Sequence, residues 1–405
     1  MTVRFPRTSN LSSWLACCLC LLLTLLAACG DYCLFCEGQG SGGGGNGGSG
    51  EEICDSAFPG LAAYGLILED GIIDTISQEQ DADDRLSLAV LPKGMAFSYP
   101  PDLDTQSAVA GDVILADQQD ETIFIYDFDQ SNAKRAFLTD YGQVSGLALL
   151  HVEEEGGPTY DLLFFTVNVQ DSLYVYDLTG SSPASIVGNP FQITNELAGS
   201  GFFESPTALA VHMDQDTAAL FVLNEKEGDS SVKRLSLDLT LPAWIPSATR
   251  TLATMNTSNH RLVDLTIDSQ TDTLFVSKKL IIDGVGGWVY DIPNASTTTQ
   301  RVNLDTADFF IQRGQRVTGL TVASTNKTGT TSDLLLLREN IAEAQVESYD
   351  PGVGGQTPES AYTPTSDFDF LQVIEYDCTN ERLLMTDVPF NDDRDRRFFE
   401  AFPTQ

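Results

Sequence analysis

Ile123-Phe124-Ile125-Tyr126-Asp127, Leu173-Tyr174-Val175-Tyr176-Asp177, Trp288-Val289-Tyr290-Asp291 and Val346-Glu347-Ser348-Tyr349-Asp350 are four versions of one short pattern. Each ends in an aromatic residue and an acid. Most of the preceding residues are β-branched or aromatic, which suits a pleated strand. The closing Asp suits a turn, because its carboxylate can accept a main-chain N–H two residues on. One unit departs from the pattern and has Leu237-Asp238 in this place.

Two other runs precede the Tyr-Asp run and recur with it. The first is short and apolar: Gly146-Leu147-Ala148-Leu149, Ala208-Leu209-Ala210-Val211, Asp264-Leu265-Thr266-Ile267, Gly319-Leu320-Thr321-Val322. The second is hydrophobic throughout: Val113-Ile114-Leu115, residues 162–165, Leu220-Phe221-Val222, Leu274-Phe275-Val276, residues 334–337, Leu383-Leu384-Met385. A near-continuous apolar strand is one buried on both faces. The period is roughly 50–60 residues, the signature of a repeat architecture. Six units are visible, and two of them align without a gap from Leu265-Thr266-Ile267-Asp268 and Ile374-Glu375-Tyr376-Asp377 onward. No long amphipathic helical pattern interrupts them. The expected fold is all-β, a six-bladed β-propeller, with seven blades as the alternative count.

The ends of the chain bear on closure. The last unit stops at its third strand, residues 396–402, with no fourth strand after it. Residues 62–76 hold strand-like material ahead of the first clear unit. A ring that borrows this N-terminal strand for its last blade would use both facts.

The repeat resembles the NHL and YVTN propellers, and Ala116-Asp117 followed by Ile125-Tyr126-Asp127 matches their pattern most closely. The resemblance implies architecture. It implies no particular activity, since propellers host many functions.

The N-terminus carries a separate message. Arg4 and Arg7 precede a run without charge, residues 11–28, which ends Leu26-Ala27-Ala28-Cys29. That order fits a secretory signal, although the run is also near the lower limit for a spanning helix. The four closing residues resemble the bacterial lipobox. The resemblance implies cleavage before Cys29 and acylation of Cys29, so the bilayer is the first expected partner. Several acyl chains on one residue make a durable anchor where one would not. Gly30 follows the cysteine, with Asp31 one place later; by the enteric sorting rule this favours the outer membrane over the inner. Gly38 to Gly50 reads GQGSGGGGNGGSG, a flexible tether by composition. The expected organisation is a leader over 1–28, the lipidated cysteine and tether over 29–53, and the propeller over 54–405.

With 58 acidic and 22 basic residues the formal net charge is −36. This argues against nucleic acid as a partner, because phosphates need basic patches, and disfavours electrostatic binding to anionic lipid. Of eight cysteines, Cys17, Cys18 and Cys20 leave with the leader and Cys29 takes lipid. Cys33, Cys36, Cys54 and Cys378 remain, in a disulfide-permissive compartment. They allow three connectivities. A local Cys33–Cys36 pair leaves Cys54 with Cys378, a bond that would lock ring closure; redox or metal work and free thiols are the other readings of these cysteines.

No catalytic residue is assigned. The histidines are His151, His212 and His260, and no HExxH, nucleophile elbow or P-loop accompanies them. His151 and His212 end equivalent first strands. No cofactor is expected, apart from Ca²⁺ as the cation that acidic turns could hold. These turns are Asp81-Ala82-Asp83-Asp84, Asp214-Gln215-Asp216 and Asn391-Asp392-Asp393-Arg394-Asp395, and none has the twelve-residue loop spacing. Loops between second and third strands are the expected binding rim: they begin at Asp117, Asn224, Lys278-Lys279, Arg338 and Asp387. The expected function is that of a non-enzymatic binding or scaffold module for an unknown protein or small molecule. A lactonase or other hydrolase with a channel-bound divalent metal is the alternative, and an envelope-complex subunit a third reading.

Overall fold

The computed structural model describes residues 58–74, 86–91, 97–98, 107–108, 112–117, 121–127, 133–153, 159–179, 189–214, 216–226, 228–241, 244–280, 286–323, 332–340, 343–353, 355, 357–364, 371–377, 379–387 and 396–403. The leader, the tether, and Cys29, Cys33, Cys36, Cys54 and Cys378 lie outside the described residues, as do the acidic runs 81–84 and 391–395.

Strand β1 (Tyr64–Asp74) comes first in the chain and last in the ring. From the inner strand outward, blade 1 is β2 (Leu86–Val90), β5 (Val113–Asp117), β6 (Thr122–Asp127) and β7 (Ala133–Leu138). A two-stranded hairpin, β3 (Phe97–Ser98) with β4 (Ser107–Ala108), is inserted after its inner strand. Blade 2 is β8 (Val144–Glu153), β9 (Thr159–Val167), β10 (Ser172–Asp177) and β11 (Phe191–Ile193). Blade 3 is β12 (Pro206–Asp214), β13 (Thr217–Asn224), β14 (Ser230–Asp238) and β15 (Pro246–Met255). Blade 4 is β16 (His260–Asp268), β17 (Thr273–Leu280), β18 (Gly287–Pro293) and β20 (Ile311–Arg313). Blade 5 is β21 (Arg316–Ala323), β22 (Asp333–Asn340), β23 (Glu343–Tyr349) and β24 (Ser360–Tyr362). Blade 6 is β25 (Leu371–Asp377), β26 (Arg382–Asp387) and β27 (Arg396–Pro403), completed by β1. The six-bladed count is therefore correct, and so is closure by a lent N-terminal strand.

The core is not one mass but six seams. The second strands explain why, because alternate residues face opposite neighbours. Leu163 and Phe165 pack toward blade 1, and Leu162 and Phe164 toward blade 3. Leu334 and Leu336 pack toward blade 4, and Leu335 and Leu337 toward blade 6. Blades 3 and 4 meet through Phe221, Leu223, Leu274 and Val276. Blades 6 and 1 meet through Leu384, Leu88 and Leu115. Each seam buries its own apolar cluster, and that burial is the main force holding flat blades face to face.

Closure has its own contacts. β1 pairs antiparallel with β27 from Tyr64↔Pro403 to Asp74↔Arg396. The Tyr64 hydroxyl donates to the Glu381 carbonyl at 3.1 Å. Phe58 stacks on Tyr64 and meets Tyr376 edge to face. Inside blade 6, Arg382 donates to Asp377 at 2.6 Å and also pairs with Glu400, all three being buried.

Strand-end acids cap the turns as expected. Asp177, Asp238 and Asp377 accept the N–H groups of Thr179, Thr240 and Thr379, each at 3.0 Å. One feature escapes the repeat altogether. The segment leaving β18 sends back β19 (Val302–Asn303), which pairs parallel with β15 and adds a fifth strand to blade 3. Blade 4 thereby clasps its neighbour.

Candidate functional site: the rim and the central channel

The second strands end on the face where the inner strands begin: Asn224 lies opposite Pro206, Lys278 opposite Leu262, and Asp387 opposite Leu371. Asp117 lies opposite Leu86, at the matching place in blade 1. The structure thus brings the expected rim residues to one face of the ring.

Asn224, Lys278 and Asp387 do not project from it as loop residues would. Asn224 has no exposed surface; its Oδ1 accepts the Glu204 N–H at 2.9 Å and its Nδ2 donates to the Phe202 carbonyl at 3.1 Å. It pins the crossover into blade 3. Lys278 is buried within β17 rather than in a loop, since that strand runs on to Leu280. Its Nζ donates to the Leu304 carbonyl at 3.1 Å and sits over the rings of Trp288 and Tyr290 at 5.1 and 5.0 Å. Burial pushes its pKa down, and Asp305 acts against the shift. Lys279, next along, is partly exposed. Arg338 reaches Glu347 at 3.4 Å and bonds Gln345; Glu347 also takes Arg313 at 2.7 Å and the Tyr349 hydroxyl at 2.6 Å. Asp387 is fully buried. Asn224, Lys278, Arg338 and Asp387 therefore build the rim, and Lys279 borders it.

The histidines differ in setting. His151 Nδ1 lies 2.5 Å from the buried carboxylate of Asp161. His212 is buried, and burial lowers its pKa despite Asp272, Asp214 and Asp268 nearby. His260 meets the edge of Trp288, and burial with Lys278 lowers its pKa. Among the described residues, no group of three or more His, Cys, Asp or Glu side chains could hold a metal ion. Asp214 is the exposed last residue of β12, and Asp216 is an exposed turn residue.

Sequence reasoning missed the inner wall of the ring. The inner strands of blades 2 to 6 each carry a register shift at the same place. The residue inserted there is polar in four of the five blades, Ser145, Thr207, Thr318 and Gln372; in blade 4 the shift takes in Val263 and Asp264. A bulge re-aims one side chain and terminates strict alternation. Here it links blades. Ser87 Oγ donates to the Ser145 carbonyl at 2.9 Å, and Ser145 Oγ donates to the Pro206 carbonyl. The Leu320 N–H donates to Asp264 Oδ2 at 2.9 Å, and Thr321 Oγ1 donates to Glu375 Oε2 at 2.8 Å. These bonds run from blade 1 to 2, 2 to 3, 5 to 4 and 5 to 6.

They surround a cavity of about 90 Å³ on the ring axis. Its polar lining is Ser87, Thr207, Asp264, Thr266, Thr321, Gln372 and Glu375. Glu375 is enclosed by protein yet borders this cavity. Burial first, and then the Asp264 charge, push its pKa up to about 8 against the Thr321 hydrogen bond.

No family model matches the chain, and no curated protein does. Solved structures do. An assigned oxidoreductase (glucose dehydrogenase) from Thermus thermophilus is 15% identical with a TM-score of 0.42, over 78% of this chain and 100% of that one. The Cps50 (Swd1) β-propeller domain of Myceliophthora thermophila is 11% identical with a TM-score of 0.38, over 78% and 99%. An exported protein of Bacteroides fragilis is 8% identical with a TM-score of 0.37, over 87% and 98%. Similarity at this level carries over no activity. The sheet order, the six seams and the lent strand establish the chain as a six-bladed β-propeller.

Proposed function

We propose that this chain is a lipid-anchored, extracytoplasmic β-propeller that serves as a non-enzymatic binding module of a bacterial envelope, on the outer membrane. The observation that carries the binding role is the rim, where buried Asn224 and Lys278 and the Arg338–Glu347–Arg313 group fix the surface from below. A surface fixed before contact loses little entropy on binding. The leader, Cys29 and the glycine run supply the anchor and leash. A Cys54–Cys378 bond would reinforce closure, because Phe58 and Tyr376 already meet beside those positions; Cys33 and Cys36 would pair locally.

Two measurements test this. Palmitate labelling and membrane fractionation of Cys29→Ser should show loss of lipid and release of the protein. A photo-crosslinker at Lys279, on the rim, should give a discrete adduct in intact cells, and one at exposed Asp216 on the opposite face should not. Equal adducts from both faces, or none, would count against a rim-directed binder. The hydrolase alternative rests on the polar channel and expects stoichiometric Ca²⁺ with calcium-dependent stabilisation.

A further inference from the structure

The axial cavity offers an unusual balance of donors and acceptors. The hydroxyl hydrogens of Ser87, Thr207 and Thr321 are already given to Ser145 O, Leu223 O and Glu375 Oε2. What faces inward is acceptor-rich: the Asp264 carboxylate, the Glu375 carboxyl and the Thr266 hydroxyl. An occupant that brings its own donors fits this space, and positive charge suits Asp264 and the ionised form of Glu375. The volume of about 90 Å³ limits it to fewer than about ten heavy atoms, since about 10–15 Å³ of such space is needed for one water.

We propose that the axial cavity is a binding site for a small N–H-donating cation, an ammonium ion or a short primary alkylammonium, held by Glu375 and Asp264. Among the described residues, fewer than three acids or histidines converge there, which favours an N–H-donating cation over a divalent metal. The site is independent of the anchor and of the rim. Its ionisable lining residues are Asp264 on β16 and Glu375 and Tyr376 on β25. Binding to the ionised form of Glu375 has to displace a proton at neutral pH, because that carboxyl is held up to about 8. Apparent affinity should accordingly rise about tenfold from pH 7 to pH 9, a range over which an alkylammonium stays charged.

The experiment uses the full chain in detergent micelles and amine-free buffer. Thermal shift and calorimetric titration are run with methylammonium, ammonium, tetramethylammonium, potassium and calcium chlorides at equal ionic strength. Saturable stabilisation by methylammonium and ammonium alone, stronger at pH 9 and lost in Glu375→Gln, is the expected result. Glu375→Gln keeps shape and can still accept from Thr321; Thr266→Ser, which keeps the hydroxyl, should retain binding and guards against a merely fragile variant. Four outcomes would overturn the proposal: no saturable response, an equal response to potassium or tetramethylammonium, a response to calcium instead, or undiminished binding by folded Glu375→Gln.

Discussion

Gly287 opens β18 in blade 4, directly beneath the crossover into blade 5. A Cβ placed there would lie 2.6 Å from the Gln315 carbonyl oxygen, 2.8 Å from the Val317 nitrogen and 2.7 Å from Val317 Cγ2. Ordinary non-bonded contact begins near about 3.5 Å, so the neighbours would have to retreat by most of an ångström. Two of the three are main-chain atoms, which cannot rotate away. Gly287→Ala should therefore cost near the top of the overpacking range, about 2–3 kcal/mol. For a body of roughly 350 residues, unfolding entropy of about 2.1 cal/mol/K per residue converts 3 kcal/mol into a fall of about 4 °C in Tm. Gly314 is a matched control in the same corner, where a Cβ would meet nothing within 4 Å. Differential scanning calorimetry of both variants decides the matter. A Gly287→Ala melting point equal to wild type, or a Gly314→Ala loss of the same size, would refute the claim that inter-blade backbone contact requires glycine at 287.

Other consequences follow from particular contacts. Arg382→Met leaves the buried carboxylates of Asp377 and Glu400 without their cation and should cost about 3–5 kcal/mol in urea titration; adding Glu400→Gln should recover part of it. Ser145→Ala removes the strut from blade 2 to blade 3 and should cost about 1 kcal/mol, read as a lower urea midpoint at unchanged slope. Glu375 has its folded-state pKa raised from the ordinary 4.5 to about 8, so its contribution to stability is fully present below the lower value and is lost as pH rises through the upper one. Glu375→Gln should therefore flatten the decline of wild-type stability across that window, and parallel pH curves for the two proteins would contradict the assignment.

The repeat and its count were legible because they rest on burial. A strand packed on both faces must be apolar at every position, and the six second strands say so openly. The lent strand was legible from a shortage at one end and a surplus at the other. Blade 1's inner strand was not, although Leu86-Ser87-Leu88-Ala89-Val90 alternates, because an inserted hairpin separates it from β5. The parallel pairing of Val302-Asn303 was illegible in principle, being two residues of main chain with no side-chain signature. Lys278-Lys279 read as an exposed basic pair, but the alkyl stem of Lys278 and the rings of Trp288 and Tyr290 let one of the two charges go inside.

The bulged residues were missed for a different reason, and that reason bears on function. Ser145, Thr207, Thr318 and Gln372 share a place and a polarity but no identity, and blade 4 has Val263 there, so no motif search would align them. A residue inserted at a bulge leaves the alternation that its strand needs for the seams. It is free to differ from blade to blade, and the structure shows two fates. Ser145 finds a main-chain partner in the next blade and acts as a strut. Thr318 Oγ1 and Gln372 Oε1 are buried with no partner, a condition that costs about 1–3 kcal/mol per group. A fold that needed only closure would have placed apolar residues at those two positions. Gln372 lines the cavity that Glu375 borders, and its unpartnered oxygen is sealed within the wall, so the cost of that position is carried by the frame of the channel.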